Sequence, residues 1–573
     1  MRRAQAKPGV RRGASGARRD LSLSSSSTAK LLRVAAEELE RAMREMRIPG
    51  YPRPFYLSYL IRDEEHWRVQ ARYGAVIHDT HERQRDAFVD VRVGSWRSDQ
   101  VRDGGLQDND KEAESYGFVD LPYGGSEEGL RHGLWRLTDS RYREAVESLL
   151  DKQSHELMYL DPNQHLPAFE KRPALSDVRW TDFPHVDREH WSGYVERASR
   201  TIRRHAAIHD SHVEFEAEHI CRVFVNSEGS RLVECRLVWS VECYLWMLAR
   251  DGNAYPWTIK HNVTDPAELP DERALSGEIA RAVAALEALA AAPTIRSFCG
   301  PALLEPVPAG LLIHEAIGHR LEGNRLLSAG EGQTFKDSIG QRVLPDFLSL
   351  YDDPRLARFG ARTLVGHYRF DDEGVPAQSA DLVRDGRLAG FLTTRTGIAP
   401  RHRSNGHARG RYHQRPISRM GVLIVEARGG VGPRELKRLL LEEIRRKKAP
   451  FGIRILDATS GETVTDAYNF QAFLGEIILA AKVYPDGREE WIRGVNFVGT
   501  PLNGVHGIVA AGDRPEVDNS FCGAESGYLP VSTISPALLL SELELQSKPE
   551  SPYTPFSLPI PWASRRPRRT RAR

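Results

Sequence analysis

"PAGLLIHEAIGHRLEG", residues 308–323, separates two differently textured halves of the chain. Pro308 stands near a helix start and Gly323 near its end, which predicts one short helix between them. Leu311, Leu312, Ile313, Ala316, Ile317 and Leu321 make that helix mostly apolar. His314, Glu315 and His319 are therefore polar groups that need partners once buried, and a metal ion is one such partner. The spacing H-E-x-x-x-H places the second histidine one residue later than in the zinc-protease helix H-E-x-x-H. At about 100° per residue, a separation of five turns the second ring about 140° from the first, against about 40° for four. A regular helix cannot aim both rings at one ion. The spacing predicts a deformation over 316–319, read here as a single π-bulge made cheaper by Gly318.

Upstream, "KLLRVAAEELERAMREMRI" (30–48) has apolar residues at helical spacing, and "DERALSGEIARAVAALEALAAAP" (271–293) reads as a long helix. Further amphipathic stretches lie around 138–160 and 188–208. Strand-like alternation runs through "FYLSYLIRD" (55–63) and "WRVQARYGAVIHDTHERQRDAFVDVRVG" (67–94). "HICRVFV" and "VECRLVWSVECYL" form a hairpin about "NSEGS" (226–230). Downstream, "PRELKRLLLEEIRRKK" (433–448) is helical, and hairpins turn at Asp385-Gly386 and at Pro485-Asp486-Gly487. "SRMGVLIVEA" and "ALLLSELELQ" supply more strand. The expected class is α+β: an N-terminal mixed domain with an antiparallel sheet over 30–295, then a β-rich domain over 296–550 carrying the histidine helix. Residues 1–29 read as a disordered basic arm, and 551–573 as a Pro/Arg-rich tail.

Hydrophobic residues make up 40% of the 573 and charged residues 28%, a globular composition, and no run approaches the roughly 18 apolar residues of a membrane span. The opening 30 residues have no apolar core of a secretory leader, which points to the cytoplasm. Thirteen Lys and Arg lie in residues 1–19 and 564–573, and without them the net charge of +2 becomes about −11. The arms are read as solubilising, and a nucleic-acid role is not expected. Five cysteines, an odd number, argue against a disulfide framework. Cys221, Cys235 and Cys243 lie in the alternating hairpin and read as small buried hydrophobes. "DNDKEAESYGFVDLPYGG" (108–125) resembles a calcium loop, but its spacing fails the EF-hand pattern.

A hydrolytic zinc site takes three protein ligands and leaves one position open. Candidates for the third are Glu322, His367, His407 or His413, His506 and Cys522. Cys522 stands in "DNSFCGAESGYLP" (518–530), read as a polar loop, where a thiol becomes a thiolate on metal binding.

"HEAIGHRLEGNRL" (314–326) resembles the H-E-x-x-x-H signature of the TldD/PmbA metalloproteases. "YRFDDEGVPAQSADLVRDGRLAGFLTTR" (368–395), "SNGHARGRYHQRPISRM" (404–420), "VGTPLNGVHGIVAAGD" (498–513) and "CGAESGYLPVSTISPALLLSELEL" (522–545) are similar to further family segments in the same order. The resemblance implies that His314, His319 and Cys522 bind Zn²⁺ and that Glu315 is the catalytic base. It also implies a homodimer, or a heterodimer with a paralogue, enclosing a cavity that admits peptides or unfolded polypeptide. From the residues themselves, Glu322 and Asp372 are expected to orient the imidazoles, and substrate backbone to dock by strand addition. Asn405, Arg409, Arg411, Tyr412 and His413 form a loop suited to a substrate carboxylate or carbonyls. The alternative is a non-catalytic, metal-stabilised scaffold subunit. Glu315 argues against it, because a structural zinc site needs no carboxylate beside its ligand.

Overall fold

Long alternating runs in the first half pair into one six-stranded sheet. Tyr56–Arg72 and Ala75–Arg92 are antiparallel neighbours joined by a tight turn, so the continuous alternation over 67–94 conceals a reversal at Tyr73-Gly74. Both turn residues take positive φ, 48° and 85°. Asp210–Asn226 pairs with Tyr56–Arg72, and Arg231–Leu248 pairs with Asp210–Asn226. Ala254–Val263 and the short Ser176–Val178 complete the sheet. The computed structural model describes residues 25–106, 120–124, 126–156, 166–181, 184–249, 252–295, 297–398, 403–465, 473–499 and 501–548.

Because side chains alternate across a strand, the sheet has two unlike faces. On one face Leu57, Tyr59 and Ile61 meet Leu31, Val34 and Leu39 of the helix Ser25–Glu45 and Leu134 of the helix Glu127–Glu156. Further along that face, Val213, Phe215 and Trp239 meet the helices Arg188–Thr201 and Glu272–Ala291. The other face is charged and docks on the second half of the chain. Arg62 donates to the Tyr412 carbonyl at 2.7 Å, and Arg222 to Asp372 at 2.6 Å.

The described residues of the second half build two large sheets, beside two short two-stranded ones. In the first, of six strands, Leu348–Asp352 and Val422–Ala427 are central, and Gly527–Ser535 and Glu516–Ala524 form one end. In the second, Gly452–Thr463, Ser297–Leu304, Leu538–Ser547, Val495–Gly499 and Phe473–Val483 pair in turn, and the last pairs back to the first. Five strands thus close a ring. The histidine helix, Pro306–Ala316, lies between the two sheets. Its Leu312, Ile313 and Ala316 share one buried cluster with Leu350 and Leu423 of one sheet and Ile453 and Ile455 of the other. Among the described residues no helix is long and apolar enough to cross a membrane.

Several expectations need correction. The first helix begins at Ser25, inside the stretch read as a disordered arm; residues 1–24 and the tail 551–573 lie outside the described residues. Most of the 108–125 segment lies outside them too. Cys221 and Cys235 are a disulfide, not two independent buried hydrophobes. Register explains it, since the two stand directly opposite on neighbouring strands with Cα atoms 4.0 Å apart. Cys243, on the same face as Cys235, is buried and free.

Candidate metal centre

The histidines stand five positions apart, and the backbone accommodates that spacing by ending the helix. Ile317 departs to φ −118°, ψ −49°, and a tight turn, Gly318–Leu321, follows with Arg320 N–H donating to the Ile317 carbonyl at 3.0 Å. The deformation falls where the spacing demanded it, but its sense is opposite to a π-bulge: the turn is overwound to i→i+3 bonds. The change of axis brings the two imidazoles to 5.0 Å between centroids, at 84° to one another. Gly318 packs closely on Met420 there: a Cβ on it would lie 2.4 Å from the Met420 sulfur.

Cys522 supplies the third donor. The segment read as a loop is an edge strand, Glu516–Ala524, with Cys522 opposite Leu529. Its Sγ lies 3.3 Å from His314 Nε2 and 3.4 Å from His319 Nε2. All three residues are buried. These separations match the edges of a tetrahedron about one zinc ion: with Zn–N about 2.05 Å and Zn–S about 2.3 Å, the N···S edge is about 3.5 Å. One soft thiolate with two imidazoles is also a donor set that zinc accepts.

Surrounding residues orient His319 and favour the Cys522 thiolate. His319 Nδ1 hydrogen bonds Glu322 Oε1 at 3.1 Å, which commits Nδ1 and turns Nε2 toward the sulfur. Burial alone would push the Glu322 carboxyl up, but His319, Arg325 and Arg419 hold it at about 2. Likewise, burial disfavours a Cys522 thiolate, yet His319, Arg419 and His314 outweigh it and hold the thiol well below its ordinary value. Arg419 Nη2 donates to Cys522 Sγ at 3.2 Å and to its carbonyl at 2.7 Å. Burial lowers and the thiolate raises both histidines, and the balance is upward. A divalent cation would take the place of those imidazolium protons.

Glu315 points into the same cavity of about 370 Å³, which Arg325, Asp518 and Tyr528 also line. Its Oε2 is 4.0 Å from His319 Nε2 and accepts from the Thr463 hydroxyl at 2.7 Å. The Thr463 hydroxyl is also 2.9 Å from the Glu315 carbonyl. Thr463, Gly461 and Arg419 carried no local signal for this site, since each arrives from a strand or loop distant in sequence, whereas Arg325 lies just past the histidine turn.

The other candidates lie elsewhere. His367 bonds the Pro354 carbonyl, and His407 is sandwiched between Asn405 and Asp352. Asp372, expected beside the imidazoles, instead pairs with Arg222 and Arg62. The loop read as substrate-binding does not line the cavity. Asn405 fastens Thr393 and Phe391, and Arg409 donates to the carbonyls of Met420 and Pro530. Arg411 pairs with Glu64 and Glu218 of the first sheet, the Tyr412 carbonyl is taken by Arg62, and His413 follows in the same turn. These bonds make the loop a brace between the two halves.

Residues 299–547 match the model of the PmbA/TldA metallopeptidase C-terminal domain. Over that stretch, somewhat under half of its 573 residues, the chain is similar to the TldD/PmbA metallopeptidases. A metalloprotease of Archaeoglobus fulgidus is 31% identical over 234 residues, 40% of this chain and 49% of that protein. A metalloprotease of Methanothermobacter thermautotrophicus is 24% identical over 483 residues, covering 81% of this chain and 96% of that one. The chain thus spans about half the length of the first curated relatives it matches, 49% and 44%. Likeness of fold extends further: the crystal structure of TldE from Thermococcus kodakarensis superposes with a TM-score of 0.58 at 12% identity, covering 91% of this chain and all of that one.

Proposed function

We propose that this chain is a TldD/PmbA-type zinc metallopeptidase in which His314, His319 and Cys522 hold the metal and Glu315 carries the proton. The observation behind this reading is the convergence of three buried donors, from a helix, a turn and an edge strand, beside a buried carboxylate that is not one of the three. Bound zinc would supply Lewis acidity, polarising a scissile carbonyl and lowering the pKa of water toward 7. The protein supplies the rest. Glu315 Oε2 accepts a proton and returns it to the leaving amine. The Thr463 hydroxyl, at the end of the strand Gly452–Thr463, holds that carboxylate in place. Glu322 fixes the His319 tautomer, and Arg419 favours the thiolate.

Two strand edges support a substrate bound in extended form. Glu516–Ala524 ends its sheet, and Ala458–Thr463 pairs on one side only, with Phe473–Val483. Their backbone groups flank the cavity and suit strand addition by a peptide or an unfolded segment. In this reading the chain works as a dimer, with itself or with a family paralogue, in a cytoplasmic setting. Cleavage of an unfolded peptide by the wild-type chain and by Glu315→Ala tests the proposal. Loss in the variant with metal retained is expected, whereas equal rates would leave only a scaffold subunit.

A further inference from the structure

A second set of soft donors lies in the first sheet, on the helix-covered face and far in sequence from the histidine helix. Cys221 and Cys235 stand directly opposite on adjacent strands, and His219 is two residues before Cys221 and so on the same face. His219 Nε2 is 3.8 Å from Cys221 Sγ, and the donor atoms of all three residues lie within 4.8 Å of one another. Cys221 and His219 are fully buried. Asp63, across the neighbouring strand from Cys221, is already bound by Arg83 and Arg85, so the local carboxylate is committed elsewhere.

We propose that the reduced Cys221–Cys235 pair together with His219 forms a separate site for a thiophilic cation such as Zn²⁺, a site that disulfide formation closes. Two thiolates and one neutral imidazole around a divalent cation carry no net charge, which suits a buried position better than a site with residual charge. The spacing suits it too: a shared tetrahedral ion sets N···S edges of about 3.5 Å, near the observed His219–Cys221 separation. Rotation of one cysteine about χ1 would part the sulfurs without moving either strand, since the backbones already face one another.

The chemistry balances through an external dithiol. It passes two electrons and two protons to the S–S bond, which breaks to two thiols, and itself closes to a disulfide. Cation binding then releases the two thiol protons. Oxidation by a small-molecule disulfide runs the sequence backward and expels the cation.

This inference is independent of the peptidase reading, and its test removes that site's sulfur. The full-length Cys522→Ser chain is reduced with a dithiol or oxidised with a small-molecule disulfide, equilibrated with Zn²⁺, freed of excess metal and analysed for zinc. The reduced chain is expected to hold about one zinc more than the oxidised chain. His219→Ala, or Cys221→Ser with Cys235→Ser, is expected to abolish that difference. Equal zinc in both redox states, or a difference that survives these substitutions, would overturn the proposal. The primary comparison uses one polypeptide in two redox states, so a folding defect in a variant leaves it readable.

Discussion

Gly461 stands against Glu315 so closely that a Cβ on it would lie 2.5 Å from Glu315 Cγ and 2.8 Å from Cδ. The strand Gly452–Thr463 therefore presses the carboxylate toward His319 at a point where only hydrogen fits. Gly461→Ala is expected to displace the Glu315 side chain by a fraction of an ångström or more, leaving the metal donors in place. Misplacement on this scale costs about 10²-fold in rate, so kcat should fall by about that factor with zinc content unchanged. Steady-state kinetics beside elemental analysis checks both halves of the expectation.

Glu315→Gln keeps the shape of the side chain and removes its capacity to take a proton. General-base contributions are typically about 10²–10⁴-fold, so kcat should fall within that range. Metal affinity should change little, because Glu315 is not among the three donors. Competition with a chromophoric chelator would reveal a ligand role, which this account does not give it.

Glu322→Gln tests the outer support of His319. The Nδ1 bond at 3.1 Å becomes a neutral one, and Arg325, which pairs with Glu322 at 2.9 Å, loses one partner. Such losses weaken metal binding by about 10–100-fold, measurable by the same competition.

Asp86 gives a pH-dependent prediction away from the site. It is 3% exposed, neither carboxylate oxygen makes a hydrogen bond, and the nearest guanidinium nitrogen, of Arg62, is 3.6 Å away. Burial pushes its carboxyl up to about 7 from an ordinary value of 3.8. Between those values the unfolded chain releases a proton that the folded chain keeps, so this group costs stability progressively as pH rises through the window. Asp86→Asn should therefore stabilise the protein at pH 7, on the order of 1–3 kcal/mol, and by much less near pH 4. Denaturant unfolding at the two pH values provides the comparison.

What the sequence revealed and what it hid divide along physical lines. The H-E-x-x-x-H spacing required a bend near 317, because helical geometry is local, but it did not give the sense of the bend, a tightening into a 3-10 turn. Cys522 was legible by resemblance, whereas its strand was not, since "DNSFCGAESG" lacks apolar alternation and is ordered by pairing with Gly527–Ser535. The Cys221–Cys235 opposition depends on hairpin register, which composition and cysteine count do not carry. The loop 404–415 reads as a site for a substrate carboxylate or carbonyls, yet Arg409 is 4% and Arg411 8% exposed. The partners of Arg411, Glu64 and Glu218, lie 347 and 193 positions away, beyond the reach of any local pattern.

X-ray absorption at the zinc edge of the metal-loaded chain carrying Cys221→Ser and Cys235→Ser examines the metal centre by itself. The account predicts one sulfur scatterer at about 2.3 Å and two nitrogens at about 2.0–2.1 Å, with the sulfur lost on further substitution of Cys522→Ser. A shell of nitrogen and oxygen alone, unchanged by that substitution, would contradict it.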